Sequence, residues 1–386
     1  MDSIAGTKSS LTWAVHISVV LLVALWLFPT LGLFVSSFRT ADQISASGWW
    51  NSLFPAEQTV QLRTGGRDAA KQDGGVYVVE GNLLTDTDDG LGTDVTLQRY
   101  GVSSRDVSAY AIGELAEFGD GETLVLNADG TYRYTSVEEP GRRGQRVFVT
   151  AEVPPDFTLD NYEGVLFSGS GNDNMSKAFF NTLTVTVPAT IIPIVIAAFA
   201  AYALAWMDFP GRALLIACVV GLLVVPLQLA LIPLLKLHLG IGIGKGYLGV
   251  WLAHTGFGLP LAIYLLRNYM VGLPRDIIEN AKVDGATDFQ IFTKIILPLS
   301  FPALASFAIF QFLWTWNDLL VAKVFLIDAT GETTVMTNQI TELLGTRGGN
   351  WEILATAAFV SIAVPLVVFF AMQRYLVRGL LAGSVK

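Results

Sequence analysis

Few residues in this chain have the types and spacing that chemistry demands. The histidines are His16, His238 and His254. None stands in an H-E-x-x-H arrangement, which would put two imidazoles on one helix face around a zinc ion. The stretch GIGIGKG (240–246) has a Gly-Lys pair but lacks the Ser/Thr and the glycine spacing of a phosphate-cradling loop, and reads as a turn. SGSGND (168–173) is not a nucleophile elbow, because Ser168 stands where the first glycine belongs. DTDDG (86–90) gathers carboxylates but meets the calcium-loop pattern only in part, so it reads as a solvated turn. Any ATP chemistry therefore belongs to another chain. The one cysteine, Cys218, lies in an apolar run and has no partner for a disulfide within the chain. What remains is a set of polar residues in FQFLWTWNDLL (310–320): Gln311, Trp314, Asn317 and Asp318. A carboxylate in so apolar a setting is a functional-site hypothesis by default.

The elements that must position these residues follow from composition. Of 386 residues, 52% are hydrophobic and 15% are charged, against about 25% charged in soluble domains. An integral membrane protein is implied. Six segments are long and apolar enough to span a bilayer: 13–36, 179–206, 213–235, 247–270, 302–326 and 353–373. Several contain proline, which such helices tolerate. The first reads as an uncleaved anchor, because its apolar run is too long for a signal peptide and TADQISASG is a poor cleavage site. With the N-terminus inside, the cytoplasmic side holds nine Lys or Arg residues (from Lys8 to Lys386) and the short outer loops hold three, Lys236, Lys245 and Arg347. Both termini are thus expected in the cytoplasm. The organisation expected is a cytoplasmic N-terminus and first helix over 1–40, an external region over 41–177, a five-helix core over 178–373 and a cytoplasmic tail over 374–386. The fold class is all-α and polytopic, with a β-rich external insert at about 57–153 between the first and second helices.

Residues 40–177 hold 22 acidic and 10 basic side chains, in a chain of net charge −9. The remainder is therefore net positive, and the acidic balance of this region argues against nucleic acid as its partner. Within it, ETLVLNADGTYRYT (122–135) is two alternating runs around Asn127-Ala128-Asp129-Gly130, which predicts a hairpin. GGVYVVEGN and QRVFVTAEV read as further strands. Nothing in this module has catalytic spacing, so docking or structural packing is expected of it.

One polar stretch, IIENAKVDGATDFQIFTKIILPLS (277–300), sits between two apolar runs. Read as a helix, Ile278, Ala281, Gly285, Phe289, Phe292 and Ile296 follow at i+3 or i+4 and share a face. Ala281 and Gly285 are small, so a backbone or bulky side chain can approach there, and Pro298 ends the segment. A membrane-surface helix favours a basic polar face; here the charges are mixed and largely acidic, which suits a protein partner as well.

The residues Glu279-Asn280-Ala281, Gly285 and Ile295-x-Leu297-Pro298 resemble the cytoplasmic E-A-A-x3-G-x9-I-x-L-P loop of bacterial ABC importer permeases. The spacing fits at every anchor, and Asn280 stands where that pattern has alanine. The resemblance covers residues 11–40 and about 154–386. FTLDNYEGVL (157–166) and the tail QRYLVRGLLAGSVK also resemble the second permease subunit of maltose-type systems, and within that group the α-glucoside permeases. The insert at 57–153 lies outside the general family pattern.

That resemblance implies a non-catalytic transport subunit in a bacterial inner membrane, importing carbohydrate of the α-glucoside class (maltose, sucrose or trehalose-like). Its implied partners are a second permease subunit, a homodimeric ABC ATPase that binds the ATP and Mg, an external solute-binding protein, the sugar and the lipid bilayer. No cofactor is implied in this chain itself. The coupling loop is 272–300, in which Glu279, Asn280, Ala281, Asp284, Gly285 and Pro298 meet the ATPase. Glu279 offers a charge-assisted hydrogen bond and Gly285 a close approach. In the external loop 328–351, Gly345, Arg347, Gly348, Gly349 and Asn350 suit a polar probe of the delivery protein, or a plain connection. The cytoplasmic tail 374–386 reaches the ATPase or serves as a positive-inside anchor. Gln311, Trp314, Asn317 and Asp318 either line the sugar pathway, where Trp stacks and Asn hydrogen-bonds, or pack against the other permease subunit. Gln228, His254 and Asn268 are read more as packing. Two alternatives stand beside this reading: the same importer with a polyol or glycerol-phosphate cargo, and a membrane-anchored enzyme or sensor. The paucity of basic residues in the outer half-spans favours a neutral sugar, and the insert lacks the clustered catalytic residues the enzyme reading needs.

Overall fold

The computed structural model describes residues 10–86, 95–167, 175–327, 330–346 and 350–381. The chain divides into two units, Met1–Asn161 with Asn350–Thr356, and Tyr162–Gly349 with Ala357–Lys386.

The first unit opens with α1 (Ser10–Ser36), an apolar helix whose side chains are almost all exposed, as expected of a face made for lipid. A polar knot follows it. Arg39 is 3% exposed, and its guanidinium donates to the Gln43 carbonyl (2.6 Å) and to the Ser47 carbonyl and Oγ (3.0 and 2.7 Å). These acceptors belong to α2 (Ala41–Ala46) and its C-cap, so the turn after the membrane helix closes around one buried cation. Burial lowers the Arg39 pKa from its ordinary value. The Asn161 amide donates to the Ser37 and Arg39 carbonyls at 3.0 and 2.9 Å.

Nine strands come next: β1 (Ala56–Arg63), β2 (Lys71–Asp73), β3 (Val76–Asn82), β4 (Thr96–Gly101), β5 (Tyr110–Ala111), β6 (Leu115–Phe118), β7 (Glu122–Leu126), β8 (Thr131–Ser136) and β9 (Arg146–Val153). They form two antiparallel sheets, ordered β1-β9-β4-β5 and β2-β3-β8-β7-β6. Alternate residues turn inward, and Leu62, Val79, Tyr100, Leu124, Val147 and Val149 build one shared core. The hairpin anticipated over 122–135 is present, with Leu126 opposite Tyr132. Gly130 takes φ +83°, which its lack of Cβ permits. Asp129 Oδ1 accepts from the Thr131 N–H (3.0 Å) and hydroxyl (2.6 Å), and these bonds hold its carboxyl below the usual range. In the DTDDG stretch, Asp86 accepts from the Asn82 N–H at 2.7 Å, a local turn contact, and residues 87–90 lie outside the described residues.

After α3 (Asp160–Leu166), the second unit holds α4 (Met175–Trp206), α5 (Arg212–Leu222), α6 (Leu227–Gly240), α7 (Tyr247–Val271), α8 (Arg275–Val283), α9 (Asp288–Ile291), a π-helical turn Phe292–Ile296, α10 (Leu297–Leu299), α11 (Phe301–Trp316), α12 (Leu320–Phe325) and α13 (Met336–Thr346). α14 (Trp351–Leu381) starts in the first unit and continues in the second. Four described helices, α1, α4, α7 and α14, are each long and apolar enough to cross a membrane.

Two spans and one loop depart from the sequence reading. The segment 213–235 is not one rod: α5 and α6 bend by 110° at the break before Leu227. Pro226 has no N–H and disfavours helix in the residue before it, so the helix stops there. The fifth span ends as a continuous helix at Trp316; Asn317–Leu319 break it and α12 follows. α11 is preceded by Asp288–Leu299 at a 69° bend, around Ser300 and Pro302. Loop 328–351 also contains an eleven-residue helix, α13.

Prolines within the long helices organise the second unit. A proline cannot donate to the carbonyl four residues back, which leaves that oxygen free. Pro188 frees Thr184, and the Trp251 indole of α7 donates to the Thr184 carbonyl at 2.8 Å. Pro193 frees Ala189, and the Gln311 amide of α11 donates to that oxygen at 3.1 Å. Pro365 frees Ser361, and the Trp316 indole of α11 donates to it at 3.0 Å. These three freed acceptors are each met by a side chain from a different helix, so these backbone defects become interhelix ties.

Candidate functional site

The polar segment 277–300 does not form one helix. α8 carries Glu279, Asn280 and Ala281 and stops at Gly285. Gly285 adopts φ +82°; its N–H bonds the Lys282 carbonyl (3.0 Å), and the Ala286 N–H bonds the Ala281 carbonyl (2.9 Å). These are the two reversed bonds of a left-handed glycine cap. The expected role of Gly285 was close approach. The structure adds a backbone reason: its conformation disfavours any side chain, and among the described residues beyond its two neighbours no atom lies within 4 Å of where a Cβ would sit. Two residues on, Thr287 and Gln290 form a capping box that starts α9: the Gln290 N–H bonds Thr287 Oγ1 (3.3 Å) and the Thr287 N–H bonds Gln290 Oε1 (2.9 Å).

This break resets the helical phase, so the face expected across the segment is corrected in part. Ile278, Phe292 and Ile296 are buried as anticipated, but Phe289 is 65% exposed and Ile291 takes its place in the core. Phe292 packs against Tyr202 of α4, and the Tyr202 hydroxyl donates to Asp288 Oδ1 at 3.3 Å. Lys282 Nζ lies 3.7 Å from the same oxygen, half exposed, and contributes little.

The outward side of this turn is polar and unengaged. Glu279, Asn280 and Asp284 are exposed, and among the described residues their side chains make no hydrogen bond or ion pair. Val283, 86% exposed, and Phe289 flank them. Ala281 is half-buried against the core, where a small side chain lets α8 lie close. Pro298 stands apart from this patch, in α10, lining an apolar groove of about 470 Å³ with Leu297, Phe301 and Met372. The site is thus a short polar face held between buried anchors at Ile278 and Ile291.

The pathway candidates separate. Gln311 is 1% exposed and tied to Ala189; Gly258 faces it so closely that a Cβ there would lie 2.7 Å from its amide oxygen. The Asp318 side chain is 8% exposed, and its Oδ2 accepts from the Val321 and Ala322 N–H groups (2.9 and 3.2 Å), capping α12. His254, 3% exposed, has its Nε2 3.9 Å from that oxygen. Trp314 is 41% exposed, and Asn317 is exposed with its amide donating to the Leu313 carbonyl. Gln228 and Asn268 are exposed. Gly345 is exposed in α13, Asn350 is exposed with its carbonyl accepting from Leu354, and Arg347, Gly348 and Gly349 lie outside the described residues. Residues 382–386 of the tail also lie outside them; up to Leu381 the tail continues α14. Sequence reasoning overlooked Trp251 and Trp316, for which the signal is a proline inside a long apolar helix. It also overlooked the Thr287-x-x-Gln290 capping box, legible as a motif. Among the described residues, no three His, Cys, Asp or Glu side chains gather as metal ligands.

Long apolar helices, two bent pairs and an exposed polar turn between buried anchors define a helical membrane permease. The chain belongs to the family of binding-protein-dependent transport system inner membrane components, whose model matches residues 173–381. It is 59% identical over 385 residues to the alpha-glucoside transport system permease protein AglG of Rhizobium meliloti (strain 1021), covering 98% of each chain. It is 60% identical over 230 residues to the osmoprotective compounds uptake permease protein GgtD of Synechocystis sp., covering 60% of this chain and 76% of that one. Among solved structures, a bacterial ABC transporter that imports the acidic polysaccharide alginate matches with TM-score 0.48 and 22% identity, over 58% of this chain and 81% of that one. The chain is a multi-pass inner-membrane permease subunit of an ABC importer. It is not itself an enzyme: in this family ATP is hydrolysed by a separate chain.

Proposed function

We propose that this subunit imports a neutral α-glucoside and takes its power stroke through the exposed turn of α8. The observation that carries the coupling role is the free polar set Glu279, Asn280 and Asp284, presented on a helix closed by Gly285 and anchored by Ile278. In this reading a homodimeric ATPase binds ATP and Mg and receives α8. A second permease subunit completes the pathway, and an external solute-binding protein delivers the sugar. Ala281 lets α8 seat closely, and Pro298 holds the far end of the loop. Each bent helix pair counts as one span, which makes six; both termini are cytoplasmic and the β-sandwich is external. Trp314 and Asn317 are the exposed candidates for cargo contact, while Gln311 and Asp318 hold their helices in place. Gly345, Arg347, Gly348, Gly349 and Asn350 form the delivery-protein loop.

The α-glucoside assignment draws on the full-length similarity to the alpha-glucoside permease. The relative named for osmoprotective compounds supports a second cargo reading, a neutral osmoprotectant such as a polyol. The test is ATP hydrolysis by the co-expressed complex in lipid, with its delivery protein and a panel of α-glucosides and polyols. Sugar-dependent stimulation is expected in wild type. It should be lost in Gly285→Asp and reduced in Glu279→Ala while the subunits still co-purify. Full stimulation in both variants would sink the coupling role, and failure of any ATPase to co-purify with wild type would sink the importer assembly.

A further inference from the structure

The β-sandwich is acid-rich, with 17 acidic and nine basic residues over 56–153. Five of those nine, Arg63, Arg67, Arg142, Arg143 and Arg146, fall on two short segments that touch. The Thr64 N–H bonds the Gln145 carbonyl at 2.9 Å, the Gln145 N–H bonds Thr64 Oγ1 at 2.9 Å, and the Arg67 N–H bonds the Gly141 carbonyl at 3.3 Å. Arg67 is paired, with Glu139 at 2.9 Å. Among the described residues the other four meet no carboxylate. Arg63 and Arg146 line a polar cleft of about 480 Å³, together with Ser103, Ser104 and Gln145.

The register sharpens this. β1 and β9 pair so that Arg63 stands opposite Arg146 at one end and Glu57 opposite Glu152 at the other. Residues directly opposite share a face, and here it is the face away from the core, because Leu62, Val147, Val149 and Ala151 fill the other. Like charges directly opposite destabilise a sheet. Exchanging one arginine for one glutamate would turn both repulsive pairs into attractive ones, yet the strands carry the repulsive arrangement twice. A like-charged pair of each sign, six strand steps apart or about 20 Å, meets no opposite charge among the described residues; the Arg63 guanidinium donates only to the Gly144 carbonyl (3.4 Å) and the Glu152 carboxylate accepts only from the Gln98 amide (3.5 Å).

We propose that the outer face of the β1–β9 pair docks the soluble solute-binding protein of this transporter. Carboxylates of that protein enter the Arg63–Arg146 cleft, and its cationic side chains meet Glu57 and Glu152. The inference rests on the reading above that the sandwich is external and a binding protein delivers cargo. A small anion would fill the cleft and leave the glutamate pair unmatched. An anionic membrane or nucleic acid would be repelled by that pair and by the acidic surroundings. A protein face is the occupant whose length fits both ends.

The experiment uses the whole transporter in nanodiscs and its purified solute-binding protein, with affinity measured from about 50 to about 300 mM salt. Wild-type affinity is expected to fall with salt. Arg146→Glu should weaken binding about tenfold at low salt and flatten the salt dependence, and Glu57→Lys should do the same from the other end. Arg146→Glu also removes a repulsive pair, so its thermal stability should equal or exceed that of wild type, which separates lost docking from lost folding. Binding to wild type that both variants retain at full strength and with full salt dependence overturns the docking surface and leaves the importer reading standing. A binding protein that never engages the wild-type transporter overturns both. Competition by free acetate at constant ionic strength identifies a small-anion site and also overturns the proposal.

Discussion

In the β-sandwich, strand backbones find their partners in neighbouring strands and the shared core is built from apolar side chains and tyrosines. In the helical unit, three carbonyls that prolines leave free are met by tryptophan and glutamine from other helices: Thr184 by Trp251, Ala189 by Gln311 and Ser361 by Trp316. The first region keeps most of its polar side chains on the surface, with the Tyr100 hydroxyl as a buried tie to the Leu124 carbonyl (2.9 Å); the second uses polar side chains to meet carbonyls that prolines leave free. A lost core side chain in the sandwich should therefore act through a cavity. A lost donor in the helical unit should act through its proline, and only while the proline is present.

The largest effect is expected at Leu124, which is fully buried. Leu124→Ala should cost about 2–5 kcal/mol. Hydrogen exchange on the purified chain should show lost protection across β7 and β8 with α4 and α7 unchanged; a loss spread equally over both regions would break the contrast drawn here. A smaller effect tests the ties. Gln311→Leu should cost about 1–2 kcal/mol, read as a lower melting temperature of the subunit in detergent. Pro193→Ala restores the helix's own donor to Ala189, so the double variant should recover most of that loss. If the two changes simply add, the glutamine has another role. The smallest effect concerns Asp129. Its carboxyl is held below the ordinary value of 3.8 by Thr131. Its contribution to the hairpin is therefore present above that value and fades as pH falls through the lowered pKa. Asp129→Asn should abolish that acid dependence of Thr131 amide exchange while leaving exchange at neutral pH slightly faster.

The same contrast governs what was legible in the sequence. The hairpin at 122–135 was readable because alternation and an Asn-Ala-Asp-Gly turn are local. The spans at 179–206 and 247–270 were readable because long apolar runs need no partner to form helix. The break in 213–235 was hidden, since an apolar average over some twenty residues does not register that Pro226 stops the helix. The single face drawn through 277–300 failed at Phe289 because Gly285 was counted as a helical residue when its φ is positive. The role of Gln311 was unreadable for a different reason. Its acceptor lies 122 residues away, and the proline that frees that acceptor says only that a donor is wanted, not which one. Of the site residues, Glu279, Asn280 and Asp284 emerged on the exposed side because they are the polar half of a short amphipathic turn. The burial of Asp318 as a cap for α12 followed from a helix break that its neighbours do not advertise.

The capping box at Thr287 and Gln290 has a consequence for how this region can vary. Because α9 is started by its own cap, its orientation is not inherited from α8. A residue gained or lost between Gly285 and Thr287 would move the exposed turn without rotating Ile291, Phe292 or Ile296 out of the core. The outward face and the inward anchors are therefore separable modules, and selection can retune what α8 meets without repacking what holds it.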